Sequence, residues 1–120
     1  MAIVVVPSSS ITISELATRV LQKLGRIDSG ETPDTDDKVI VQNVYYSLYD
    51  ELRDRHLVDW GSADAIPTWA AFHTVDIVAN RIANNFGLPR NAEEEEFAIR
   101  KMAKHLAADY DYETVEADYF

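Results

Sequence analysis

Between Leu24 and Pro33 the chain reads Leu-Gly-Arg-Ile-Asp-Ser-Gly-Glu-Thr-Pro, which closes one helix and opens another within ten residues. This is the most fully specified local structure in the sequence. Gly25 ends the first helix in the left-handed region, where a side chain would be penalised. An Asp-, Ser- and Gly-rich turn follows. Thr32-Pro33 starts the next helix, with Thr32 as N-cap and proline in the first turn, where a missing N–H costs nothing. Asp34, Asp36 and Asp37 put negative charge on the positive end of that helix. From about Thr35 to His56, the residues Ile40, Val41, Val44, Tyr45, Leu48 and Leu52 form a broad apolar stripe. Asp50, Glu51, Arg53, Asp54 and Arg55 face mainly outward. Tyr45, Tyr46 and Tyr49 read as a cover over the core with hydroxyls in water, in preference to an aromatic binding platform.

The flanking segments repeat this pattern. Thr12-Ile13-Ser14-Glu15 is a capping box, and Ile13, Leu16, Val20, Leu21 and Leu24 share one face of the helix it opens. Arg19 and Lys23 lie off that stripe, in solvent, and Lys23 and Arg26 suit the helix C-terminal end. Leu57 to Ala65 is a loop holding Trp60 and Gly61. Helix three runs from about Pro67 to Phe86, with Ala71, Val75, Val78, Ala79, Ile82 and Phe86 as its apolar face, and Gly87-Leu88-Pro89 ends it. His73 and Asp76 are placed to pair on one helical face, a structural or solvated arrangement. Helix four starts near Asn91 as N-cap. Glu93 to Glu96 are accounted for by the helix dipole and by solvation. Phe97, Ile99, Met102, Ala103 and Leu106 carry the apolar pattern on. Arg100, Lys101 and Lys104 follow the glutamates at a spacing for i,i+4 pairs. The expectation is an all-α fold, a small bundle of about four helices with extended N- and C-terminal arms. Residues 1–11 form one arm, 12–108 the helical domain and 109–120 an acidic-aromatic tail.

Ile3 to Val6 is β-branched and favours extended structure, and Pro7 with three serines makes a joint after it. This arm lies on its own domain or is added to a neighbouring subunit. The tail sets Asp109, Asp111, Glu113, Glu116 and Asp118 among Tyr110, Tyr112, Val115, Tyr119 and Phe120, with no basic residue. Disordered acidic tails are poor in aromatics, so this one reads as a segment that orders on a partner.

Charge and composition narrow the function. A formal charge of −10 repels nucleic-acid phosphate and anionic lipid. No apolar run approaches the ~20 residues of a membrane span, and none has the build of a signal peptide. The absence of cysteine removes disulfides, thiolate metal sites and cysteine catalysis. His56, His73 and His105 fall on three different predicted helices, without metal-ligand spacing. No phosphate-binding loop or nucleophile elbow is present. No cofactor, metal site or catalytic residue is expected, and the chain does not read as an enzyme.

One resemblance adds to this. A helix ending Leu24-Gly25, a loop with Gly30-Glu31-Thr32-Pro33, a long amphipathic helix, and then Leu57 and Trp60 past its end form an ordered set. The series continues through Ile66-Pro67 into a helix ending Asn85-Phe86-Gly87-Leu88-Pro89. Taken together, this resembles the head-to-tail adaptor proteins of tailed bacteriophages, also called head-completion or tail accessory factors. The likeness covers Ile13 to Pro89 and rests on order and spacing. It departs near Leu52–Arg53, where members often carry a large residue such as Trp or Met. The resemblance implies a structural virion protein, made in the host cytoplasm and placed at the neck. There a ring, a dodecamer in the family, joins the portal to the tail or to the next connector protein. DNA would cross its channel without specific binding, repelled by like charge along the lumen. By position, the portal contact falls to Asp109, Tyr110, Asp111, Tyr112, Glu113, Val115, Tyr119 and Phe120. Tyr46, Trp60 and Trp69 are candidates for contacts between subunits. Two other classes fit the composition. An acidic phage inhibitor or DNA mimic would occupy a basic nucleic-acid site on a host protein. An enzyme acting on cell-wall polymer would use paired carboxylates. The ordered landmarks favour the adaptor.

Overall fold

A computed structural model describes residues 10–28 and 30–118, with side chains followed to Ala107. Residues 1–9 of the N-terminal arm lie outside this range, as do Tyr119 and Phe120. The fold is all-α: α1 (Ile13–Lys23), α2 (Thr35–Asp54), α3 (Thr68–Ile82, continued by a 3-10 turn over Ala83–Phe86) and α4 (Ala92–Asp118). Among the described residues the only extended pairing is an isolated antiparallel bridge. In it Ile11 and Ile66, both buried, exchange backbone hydrogen bonds of 3.0 and 2.8 Å. The bridge ties the entry to α1 to the entry to α3.

The helix ends follow from local chemistry. Thr12 accepts from the Glu15 N–H while the Glu15 carboxylate accepts from the Thr12 N–H, the reciprocal cap expected. Gly25, at φ 73°, closes α1: its N–H reaches the Gln22 carbonyl and the Arg26 N–H reaches that of Leu21. The start of α2 differs from expectation. Asp34, not Thr32, is the N-cap and accepts from the Asp36 N–H at 3.4 Å, which leaves Thr32 and Pro33 outside the helix. A carboxylate at this position supplies both the acceptor and a charge for the dipole, so it prevails over the threonine. α2 closes with the same double bond as α1, Leu57 N–H to Leu52 carbonyl and His56 N–H to Arg53 carbonyl, but on a histidine at φ 59°. An L-residue there costs about 1–2 kcal/mol, and glycine would not incur that penalty. Because glycine is also freer in the unfolded chain, the net gain from His56→Gly is expected to be about 0.5–1 kcal/mol, read as a rise in Tm.

α3 is the central element, packed against α1, α2 and α4, whereas among the described residues α2 and α4 do not pack on each other. Its buried residues include Ala70, Ala71, Thr74 and Ala79, small enough for close helix approach. Thr74 satisfies its hydroxyl on the Ala70 carbonyl at 2.8 Å. In α2 the buried seam is Val41, Tyr45, Leu48 and Leu52, spaced four, three and four. Ile40, counted in the predicted stripe, lies one residue or ~100° around the helix from Val41 and is exposed. Phe97 in α4 meets the same fate, because Ala98 and Met102 hold the core face. No helix among the described residues is long and apolar enough to cross a membrane.

Candidate functional site

Among the described residues the distinctive places are an aromatic row, a polar junction, a long last helix and two exposed stripes.

The aromatic row begins on α2. Tyr45 and Tyr49 are buried, and their hydroxyls are not in water as expected. Tyr49 donates to the Trp60 carbonyl, and the Trp60 indole N–H donates to the Tyr45 hydroxyl at 3.0 Å. Burial pushes the Tyr45 hydroxyl above its ordinary pKa. Trp60 meets Trp69 edge to face at 5.8 Å, and Trp69 stacks on His105 of α4 at 4.3 Å between ring centres, 8° from parallel. Two of the subunit-contact candidates, Trp60 and Trp69, are therefore half-buried and tied into their own subunit. The third, Tyr46, is 44% exposed on α2.

The polar junction lies where α3 turns into α4. Asn91 caps α4 as expected, accepting from the Glu94 N–H at 3.1 Å. The glutamates after it are not simply solvated. Glu95 is only 4% exposed, and its two carboxylate oxygens take Arg81 at 2.7 Å and Arg90 at 2.6 Å. Arg81 also reaches Glu51 of α2 with two bonds of 2.5 and 3.2 Å. That hydrogen bond holds the Glu51 carboxyl below its usual range. Glu94 accepts from Asn80 at 2.8 Å and from Lys23 of α1 at 3.3 Å, and Lys23 also meets Asp76 at 3.3 Å. Lys23, expected in solvent, is thus a clasp between three helices. Burial lowers its pKa, but Asp76 and Glu94 outweigh that and leave it raised. Asp76 pairs with Lys23, and burial, not Asp76, dominates His73, lowering its pKa. Among the described residues no group of three His, Asp or Glu could hold a metal ion. The junction ties all four helices together through ion pairs. The sequence signal for it was present, since Arg90 and Glu95 flank the cap, but partners on α2 and α3 carry no local spacing.

The register of α3 against α4 locates the tail. Asn80 sits opposite Glu94, and Trp69 sits opposite His105, the same number of residues further along α4. Trp69 is only one residue inside the start of α3. The part of α4 that follows His105 therefore runs past the start of α3. α4 nevertheless continues to Asp118, ~20 Å further. Asp109, Tyr110, Asp111, Tyr112, Glu113 and Val115 all fall on this projection, whose backbone is helical.

The exposed stripes are the last feature. On the outer side of α2, Asp36, Val39, Asn43, Tyr46 and Asp50 follow each other at three- and four-residue steps, all exposed. On the outer side of α4, Phe97 is 51% exposed and Arg100, Lys101 and Lys104 share its shallow depression of about 240 Å³. The Lys101 ammonium lies over the Phe97 ring, 5.2 Å from its centre. The i,i+4 ion pairs expected for these three bases are not formed. Comparison with models of known protein families, with curated proteins and with solved structures gives no match.

Proposed function

We propose that this protein is a structural head-to-tail adaptor of a tailed bacteriophage, forming a ring beneath the portal and joining the capsid vertex to the tail. The observation that carries this reading is the projection of α4 past the end of α3. A last helix that continues ~20 Å past the start of the helix it packs on offers a handle to something outside the domain. That handle is acidic and aromatic, with Tyr110, Tyr112 and Val115 among Asp109, Asp111 and Glu113. It is the segment assigned to the portal, together with Tyr119 and Phe120. Ten net negative charges per subunit suit a channel that DNA crosses without sticking.

The test is the mass, by light scattering after size exclusion, of the full chain mixed with the portal of its virus. A chain ending at Ala108 runs beside it. The adaptor reading expects the portal to gain a ring's worth of subunits with the full chain and none with the shortened one. A small species that ignores the portal would sink it. If that species instead displaces DNA from a host protein in a salt-dependent way, the molecule is an inhibitor.

A further inference from the structure

Phe72 is 69% exposed, more than any other large apolar side chain among the described residues, on a helix that is otherwise mostly buried. It stands in a lane between two helices. Ile11 faces Ile66, the Arg19 guanidinium lies over the Phe72 ring 6.0 Å from its centre, and Lys23 pairs with Asp76 at 3.3 Å. These contacts advance together along both elements, so α1 and α3 run side by side in the same direction. Thr68, Phe72 and Asp76 follow at four-residue steps on one side of the lane, with Arg19 and Lys23 four apart on the other. The Lys23–Asp76 pair closes the far end. The near end lies at the Ile11–Ile66 bridge, where the described chain enters.

The segment that enters there is the N-terminal arm. Ile3-Val4-Val5-Val6 is an uncharged, β-branched run joined to Ser10 through Pro7, Ser8 and Ser9. The bridge gives the arm a heading. In an antiparallel pairing the residues before Ile11 pass those after Ile66. The chain followed back from Ile11 therefore points toward Pro67 and Thr68, which is the way to Phe72. Its reach is sufficient. The five residues from Val6 to Ile11 span up to ~17 Å, and the six from Ile66 to Phe72 span ~9 Å at helical rise. The run itself measures ~13 Å when extended, against ~12 Å from Thr68 to Asp76 along the helix.

We infer that the arm folds back on its own domain, with Ile3–Val6 lying in the lane between α1 and α3 and covering Phe72. The gain comes from burying the phenyl ring against branched aliphatic side chains. Releasing the arm would uncover Phe72 and free an unpaired β-branched strand in one step, so a partner that takes either one must first displace the other. The contact goes beyond the adaptor reading and stands without it.

The test is thermal unfolding, followed by circular dichroism, of four proteins. These are the full chain, a chain beginning at Ser8, and Phe72→Ser in each of the two. Serine and phenylalanine have similar helix propensity, and the shortened chain keeps the Ile11–Ile66 bridge. Removing the arm is expected to lower Tm by about 4 °C or more, and Phe72→Ser in the full chain by a similar amount. In the shortened chain the same substitution should move Tm by no more than about 1–2 °C, which is what its contact with Arg19 accounts for. Equal shifts in the two backgrounds, or an unchanged Tm on removing the arm, would overturn the inference. The comparison is repeated at protein concentrations about 100-fold apart, where an arm on its own domain contributes the same increment at both. An increment that grows with concentration would put the arm on a neighbouring copy and overturn the inference as well. Portal binding enters none of these readouts, so the adaptor reading can fail in its mass assay while this contact stands, and the reverse.

Discussion

Ile77→Ala is expected to cost the folded domain about 2–5 kcal/mol, enough to threaten a protein of this size. Ile77 is fully buried midway along α3, whose backbone packs closely against α1, α2 and α4. Its neighbours on α3 are mostly alanine, threonine and valine, so few long side chains are available to swing into the space left behind. The loss therefore combines the removed transfer energy with an unfilled cavity. Urea unfolding followed by circular dichroism gives the number, and a loss below ~1 kcal/mol would mean that the α3 surroundings collapse far more readily than this packing implies. Phe97→Ala is the matched control. Half-exposed on α4, it should change stability by less than ~0.5 kcal/mol.

Arg81→Met should be the second most damaging change, at about 2–3 kcal/mol. One guanidinium joins Glu51 of α2 to Glu95 of α4, and its loss leaves a buried carboxylate with Arg90 as its remaining partner. Most of the effect comes from Glu95, because Glu51 is exposed enough for solvent to screen its pair. Arg81→Lys should rescue little, since a single ammonium cannot reproduce the planar fork that serves two carboxylates. The pH dependence has a definite sign. The Arg81 hydrogen bond lowers the Glu51 pKa, so the linked stability is fully present above the unfolded value of 4.5 and is lost as pH falls through the folded one. The gap between wild type and Arg81→Met should accordingly narrow as unfolding is repeated at successively lower pH from 4.5 downward. A gap that stays constant or widens there would remove Glu51 from the account.

Local signals in the sequence were enough for the number of helices, their order and most of their ends. The Thr12–Glu15 capping box, Gly25, Gly87 and the Asn91 cap each act through atoms a few residues apart, and each stands in the structure as read. Where two neighbouring signals competed, at Thr32 and Asp34, only the folded helix decided between them. Periodicity placed the apolar faces to within about one residue. That margin is ~100° on a helix, and it separates buried Val41 and Ala98 from exposed Ile40 and Phe97. Which side of an ambiguous stripe goes inward depends on where α3 lies, and no local pattern encodes that.

The polar chemistry was the least legible. Glu95 sits in a run of four glutamates that any reading of a helix N-terminus would assign to the dipole, and its burial depends on arginines brought in by α3 and by the turn before α4. Lys23 was assigned to solvent because nothing near it in sequence is its partner; Asp76 and Glu94 reach it only through tertiary packing. The tail could be recognised from composition as a segment apart. That it runs past the start of α3 as a helix followed from the register of Trp69 on His105, because a helix overshoots only relative to the helix it packs on. The sequence by itself determined the local elements and their charges, since caps, turns and periodicity act between neighbours. Only the tertiary structure decided which charges meet and which faces stay open, since those contacts join residues that proximity in the chain does not relate.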